Sequence, residues 1–355
     1  MKAFLILQDG SVFAGTSIGS TREVISEIVF DTAVTGYLEI LTDPAYIGQS
    51  IVMTYPLIGN CGITAEAAKQ KIWAEGLIVR ELSKMPSNFQ SVGTLGEYLK
   101  ENDVPGIEGI DTRALTKLLR KKGSMNGMIT TNENYSLDEI IPKLTAYTIG
   151  KAVDRVNYSK QVLHGNGKKV ALLDLGAKGG LAESLNKRGC EVTVYPAHTT
   201  AEELLSTNPD GILLTNGPGN PKECTEIIEE IKKLYASDVP IFGVSLGHQL
   251  MALAVGADTV KLKHGHRGGN YPVRDLKTGR VYISAQNHSY VVDEKTVDPK
   301  VAEPSFVNVN DGTNEGLKYV GKNICTVQFA PETASGPQET AYLLEEFIKM
   351  MGGAK

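Results

Sequence analysis

The spacing of apolar and polar positions divides the 355-residue chain into two stretches with different periods. Near the start, short apolar or alternating runs at Ala3 to Leu7, Val12 to Ala14 and Glu27 to Asp31 are separated by turn signals such as Asp9-Gly10. This predicts strands and hairpins of a mostly β unit, because strands alternate faces and Asp-Gly supplies the positive φ of tight hairpin turns. Helical spacing follows over Leu95 to Lys100 and over Thr112 to Arg120. The second of these has Asp111 as a cap, Gly123 as a stop, and basic residues at 120–122 that suit a helix C-terminus.

From about Ser136 the regularity fades, and the polar, Gly-rich Leu163 to Lys168 predicts a boundary. The expected domains are 1–155 and 169–355, with 156–168 as a linker. Beyond it, apolar strand runs at Lys169 to Gly176, Cys190 to Pro196 and Asp210 to Thr215 alternate with helical spacing at Leu181 to Arg188 and Ala201 to Ser206. That alternation predicts an open parallel α/β sheet with right-handed crossovers. A fourth strand run, Asp238 to Val244, leads through Gly243-Val244-Ser245-Leu246-Gly247 into an apolar helical stretch. Strand, Gly-x-Ser-x-Gly turn and helix together predict a nucleophile elbow, with Ser245 at a helix N-terminus whose N–H groups can stabilise an oxyanion.

Composition narrows the chemistry. With 41% hydrophobic and 22% charged residues and a net charge of −5, the chain reads as an ordinary globular protein without a basic face for nucleic acid or an anionic membrane. The N-terminal apolar run is too short for a signal peptide and no stretch reaches the length of a membrane span, so a cytoplasmic location is expected. The four cysteines lack metal-ligand spacing and are expected to be reduced and mostly buried. Gly176 to Gly180 lacks the dinucleotide spacing and no Walker-type string occurs, so neither nicotinamide nor ATP chemistry is expected in this chain. Asn216-Gly217-Pro218-Gly219-Asn220-Pro221 lies at the carboxyl end of the third strand, where open α/β sheets place their ligands.

Several longer strings carry a resemblance. Thr35 to Pro44, Thr54 to Asn60 and Asp111 to Thr116 resemble the N-terminal domain of the small, glutamine-hydrolysing subunit of carbamoyl-phosphate synthetase. Asn216 to Pro221, Gly243 to Gln249, Gly265 to Val273, Ala285 to Tyr290 and Phe329 to Glu332 resemble a class I glutamine amidotransferase domain. The resemblance implies an α/β protein with an N-terminal mostly-β/α small-subunit domain and a C-terminal amidotransferase-like sheet. It implies a large-subunit partner that binds ATP and metal, in a heterodimer or an assembly of heterodimers serving pyrimidine or arginine synthesis. No cofactor or metal is expected in this chain.

The same resemblance locates a site and its departures. The family's nucleophilic cysteine aligns with Ser245, its histidine base with Ala330, and its orienting glutamate with Glu332. A serine that helps hold glutamine is replaced by Ala45. Gly217, Gly219, Leu246, Gln249 and Asn287 match glutamine-contacting positions, Ser289 replaces a glycine, and Tyr290 closes the same string. Unlike a thiol, a serine hydroxyl needs a positioned base, and losing general-base help costs about 10²- to 10⁴-fold. Glutamine remains a possible ligand, but its hydrolysis is expected to be lost or strongly impaired, leaving an ammonia-dependent subunit. His288 is the candidate for a substitute base, whereas His248 is expected to be structural and His264 and His266 to fix a Gly-rich loop. Two other readings stay open. One is a working glutaminase in which Ser245 and Ala330 are engineered changes; the other is a Gly-x-Ser-x-Gly serine hydrolase.

Overall fold

The short apolar runs of the first third close on themselves. In the computed structural model, which describes residues 1–156, 159–331 and 336–352, seven strands among the described residues form a closed barrel. They are β1 (Lys2–Leu7), β2 (Val12–Gly19), β3 (Val24–Asp31), β4 (Gln49–Met53), β5 (Gly76–Ile78), β6 (Pro105–Glu108) and β7 (Met125–Thr130). Their order, β1-β7-β3-β4-β5-β6-β2, leaves no unpaired edge in the barrel. Ala3, Leu5, Ile28, Val52, Ile78 and Ile129 bury together in one cluster. The helices Leu95–Glu101 and Thr112–Lys122 form where expected, and Asp111 caps the second by accepting the N–H of Ala114 at 2.9 Å.

The second unit contains a ten-stranded sheet among the described residues. Its strands are β8 (Gln161–Leu163), β9 (Lys169–Asp174), β10 (Glu191–Pro196), β11 (Gly211–Leu214), β12 (Ile241–Val244), β13 (Asp258–Asp275), β14 (Val281–Asp293), β15 (Ala302–Asn308), β16 (Asn314–Tyr319) and β17 (Ile324–Val327). Their spatial order is β8-β10-β9-β11-β12-β17-β16-β15-β13-β14. The stretch β10-β9-β11-β12-β17 is parallel and carries apolar residues toward both faces. Ala171, Leu173, Ile212, Leu214 and Ile241 pack on one side, with Leu246, Leu250 and Met251 of the helix Leu246–Ala254 and with Ile227, Ile231 and Leu234 of Thr225–Ala236. Val170, Leu172, Leu213, Phe242 and Val244 pack on the other, with Leu343, Leu344 and Phe347 of Tyr342–Met350. Cover on both faces is why these strands read as continuous apolar runs rather than alternating ones.

Four expectations need correction. The sheet is mixed: β8 and the block β16-β15-β13-β14 pair antiparallel. The division into units falls between Ile149 and Gly150 rather than across 156–168, and part of the expected linker is the edge strand β8, which takes its backbone partners from β10. The Gly-rich string at 265–273 is not a loop but the middle of the long strand β13, interrupted by register shifts between Lys261 and His266 and between Gly268 and Tyr271. Glycine suppresses strand signals in sequence, yet it is the residue that accommodates such bulges. Finally, the cysteines are free but not mostly buried: Cys190 is buried, Cys224 and Cys325 are half-buried, and Cys61 is exposed.

Candidate active site

The elbow forms because glycine occupies the positions where backbone meets backbone. A Cβ on Gly247 would lie 2.5 Å from the Leu214 carbonyl oxygen, and one on Gly243 would lie 2.7 Å from Thr326 Cγ2 and 3.1 Å from the backbone of Gly247. Ser245 between them has φ 51° and ψ −103°. For a non-glycine residue this conformation costs on the order of 1–3 kcal/mol and persists only where its surroundings enforce it. Here the Ser245 N–H donates to the Val327 carbonyl at 2.8 Å, the Gly247 N–H to the Thr215 carbonyl at 3.0 Å, and the Gln249 N–H to the Ser245 carbonyl at 3.0 Å. The strand neighbours β11 and β17 therefore clamp the turn from both sides.

Ser245 is 8% exposed. Among the described residues, the hydrogen-bond partner of its Oγ is the carboxamide of Gln328, which donates from Nε2 at 3.4 Å. Gln328 in turn accepts from Gln249 Nε2 at 2.9 Å, and the same Nε2 donates to the Tyr290 carbonyl at 2.7 Å. The structure thus joins Ser245, Gln249 and Tyr290 into one network and adds Gln328 as its centre. Sequence reasoning passed over Gln328, although it directly precedes the string that holds Ala330.

Among the described residues, Ser245 Oγ has no imidazole as hydrogen-bond partner. Ala330 pairs with Ala285 on β14, its N–H donating to the Ala285 carbonyl at 3.0 Å, and a methyl side chain can neither accept nor release a proton. His248 points into the core, where Nδ1 meets Thr326 Oγ1 at 2.8 Å and burial pushes the imidazole down to about 3. It is structural, as expected. His288 does not serve as the substitute base. Both of its nitrogens face other groups, Nδ1 toward the Tyr290 carbonyl at 2.8 Å and Nε2 toward Gln286 Oε1 at 2.9 Å. Burial, then the neighbouring His266, pushes its pKa well below the ordinary imidazole range. Glu332 lies outside the described residues.

Of the other residues expected in a glutamine pocket, Gly217 and Leu246 touch. A Cβ on Gly217 would lie 2.3 Å from the Leu175 carbonyl oxygen and 2.9 Å from Leu246 Cδ2, so only glycine lets this loop sit against the elbow. Gly219 takes a positive φ of 91° and packs against Ala152. Asn287 and Ser289 share the half-buried face of β14, while Gln286 and His288 alternate onto the buried face. The Ser289 hydroxyl accepts from the guanidinium of Arg267, a buried cation that the sequence did not single out. Ala45 lies in the short turn Pro44–Tyr46 of the first unit, its N–H donating to the Asp43 side chain at 3.0 Å.

The arrangement is a strained elbow at a helix start whose hydroxyl, among the described residues, is met by a carboxamide rather than by an imidazole. Comparison with known proteins places it. The model of the carbamoyl-phosphate synthase small chain, CPSase domain, matches residues 5–129, and that of class-I glutamine amidotransferases matches residues 171–350. The carbamoyl phosphate synthase small chain of Listeria monocytogenes serotype 4b is 46% identical over 355 residues, covering 99% of this chain and 97% of that protein. The small chain of Clostridium perfringens is 47% identical over 351 residues, covering 98% and 99%. That of Fusobacterium nucleatum is 46% identical over 353 residues, covering 97% of each. Identity at this level across both units, together with the elbow and its glycines, means that the chain belongs to the carbamoyl-phosphate synthase small-chain family and carries that family's class I glutamine amidotransferase domain.

Proposed function

We propose that this chain serves a carbamoyl phosphate synthase as a small subunit whose own glutamine hydrolysis is lost, so that the assembled enzyme uses free ammonia. The observation that carries the reading is the pair Ser245 and Ala330: a hydroxyl whose partner is the Gln328 carboxamide, and a methyl group where a base is needed. Attack of a serine on a carboxamide requires its proton to leave as the C–O bond forms, and among the described residues the partner of Oγ, Gln328 Nε2, is itself a donor. Glutamine binding without turnover is compatible with the retained glycines, Leu246, Gln249 and Asn287. The large subunit supplies ATP, metal and the phosphorylation steps, and the product feeds pyrimidine or arginine synthesis in the cytoplasm. Among the described residues, no helix is long and apolar enough to cross a membrane.

The nitrogen donor used by the complex with a matching large subunit tests this reading. Formation of carbamoyl phosphate from glutamine at a rate comparable with that from ammonium would overturn it. A genomic sequence encoding Cys and His at positions 245 and 330 would replace it with the engineered-glutaminase reading. The serine-hydrolase reading lacks support in the geometry, since an elbow serine without a histidine partner is not activated. We expect a fluorophosphonate probe to leave Ser245 unlabelled under conditions that fully label a control serine hydrolase, with intact mass as the readout.

A further inference from the structure

Behind the elbow, on the buried face of the β13–β14 hairpin, His266 and His288 are cross-strand neighbours in register. Their inner nitrogens converge: His266 Nδ1 lies 3.0 Å and His288 Nε2 2.9 Å from the same oxygen, Gln286 Oε1. Their outer nitrogens are held by acceptors, His266 Nε2 by the Asp311 carboxylate at 2.8 Å and His288 Nδ1 by the Tyr290 carbonyl at 2.8 Å. Outer partners of this kind orient metal-ligating imidazoles and direct the other nitrogen's lone pair inward. Glu315 on β16 completes the group. Its residue is 0% exposed, Oε1 accepts from Gln286 and from Asn308 at 2.9 Å each, and Oε2 is buried without a hydrogen-bond partner among the described residues.

Counting protons shows what the cluster requires. With the Tyr290 carbonyl taking the Nδ1 proton of His288, its Nε2 offers a lone pair to an oxygen that is itself an acceptor. A second proton on His266 would satisfy Nδ1 but would reach neither His288 Nε2 nor Glu315 Oε2. One cation bound by all of them would. The donor atoms of His266, His288 and Glu315 all lie within 4.8 Å of one another. Bonds of about 2.0–2.2 Å at tetrahedral angles place two ligands of one ion about 3.3–3.6 Å apart, so the most widely spaced pair has to close by up to about 1.2–1.5 Å.

We propose that His266, His288 and Glu315 bind a divalent transition-metal ion of the zinc class, with the Gln286 carboxamide oxygen as a fourth donor. Two imidazoles and a carboxylate suit Zn²⁺ better than Mg²⁺ or Ca²⁺, which prefer oxygen-only sets. The ligands lie far apart in sequence and come together only through strand pairing, which is why cysteine and histidine spacing predicts no metal here. The ion's role is structural. The Tyr290 carbonyl that holds His288 also holds Gln249, and the opposite face of β14 carries Asn287 and Ser289, so the ion braces the hairpin against the elbow.

The test uses the full chain, stripped with a chelator and titrated with Zn²⁺ alone and with Co²⁺ as a spectroscopic substitute. One equivalent is expected to bind, with a rise in melting temperature and visible Co²⁺ bands characteristic of a four-coordinate nitrogen and oxygen site. Glu315→Gln and His288→Gln are expected to lose both signals. Because these positions are buried and their variants can fail to fold, Asp311→Asn provides a second measurement. Its carboxylate is 41% exposed, and its loss is expected to weaken binding by about 10- to 100-fold. The proposal is overturned if the stripped chain binds no stoichiometric Zn²⁺ or Co²⁺, or if Asp311→Asn and the ligand variants bind as tightly as the parent.

Discussion

Reconstituted with a matching large subunit, the chain as it stands is expected to support carbamoyl phosphate formation from ammonium and not from glutamine, and Ser245→Cys with Ala330→His to restore glutamine use. The first change places a thiol at a helix N-terminus, where its pKa falls below the usual value of about 8.5 and thiolate becomes available near neutrality. The second provides the base, and general-base help is worth about 10²- to 10⁴-fold. Because nucleophile and base act as a unit, each single change is expected to recover little, and the double change far more than their product. The elbow's positive φ, the N–H of Leu246 and the Gly217 loop are already in place, so the double variant does not have to rebuild the turn. The measurement is initial rate against glutamine and against ammonium for the parent, both singles and the double. Recovery by Ser245→Cys alone would show that another base serves the elbow. Failure of the double variant would show that exchanging these two residues is not sufficient for glutamine use.

Phe242→Ala is expected to destabilise the second unit by about 3–5 kcal/mol, the usual range for deleting a fully buried phenylalanine. Phe242 is 0% exposed at the centre of the parallel strands, registered between Leu213 on β11 and Cys325 on β17. Its ring stacks on Phe347 with centroids 5.8 Å apart and planes inclined at 27°. Such a pair adds about 0.5–1.5 kcal/mol beyond the buried area. The loss is read from the urea midpoint of the second unit's transition at unchanged slope. Phe242→Leu, which keeps most of the volume, is expected to cost markedly less. A cost for Phe242→Ala below about 1 kcal/mol would contradict the packing of the C-terminal helix on this face.

The parallel strands and the elbow were legible because every local signal agreed. Lys169 to Asp174, Glu191 to Pro196 and Gly211 to Leu214 are apolar runs bounded by turn residues, and Gly243-Val244-Ser245-Leu246-Gly247 allows one tight strand-to-helix turn. The antiparallel half was not legible in the same way. The string from Gly265 to Val273 has the glycine content of a loop, and only pairing with β14 and β15 keeps it extended. The helix Leu137–Ala146 was missed because Pro142 interrupts its signal, while burial of Ile140 and Leu144 against the barrel holds it together.

The chain's own residues determined which groups stand at the elbow and at position 330. Ser245 and Ala330 can be read without coordinates because the identity of a side chain at a recognisable turn limits what it can donate or accept. Tertiary structure decided the rest. Which histidine could replace the base depended on where each imidazole pointed: His248 is committed to Thr326, far from it in sequence, and His288 to Gln286 and the Tyr290 carbonyl on its own strand. Gln328 at the centre of the site and the meeting of His266, His288 and Glu315 likewise arise from strand register. Register is a property of the paired sheet, and local periodicity carries no information about which distant strand will lie alongside.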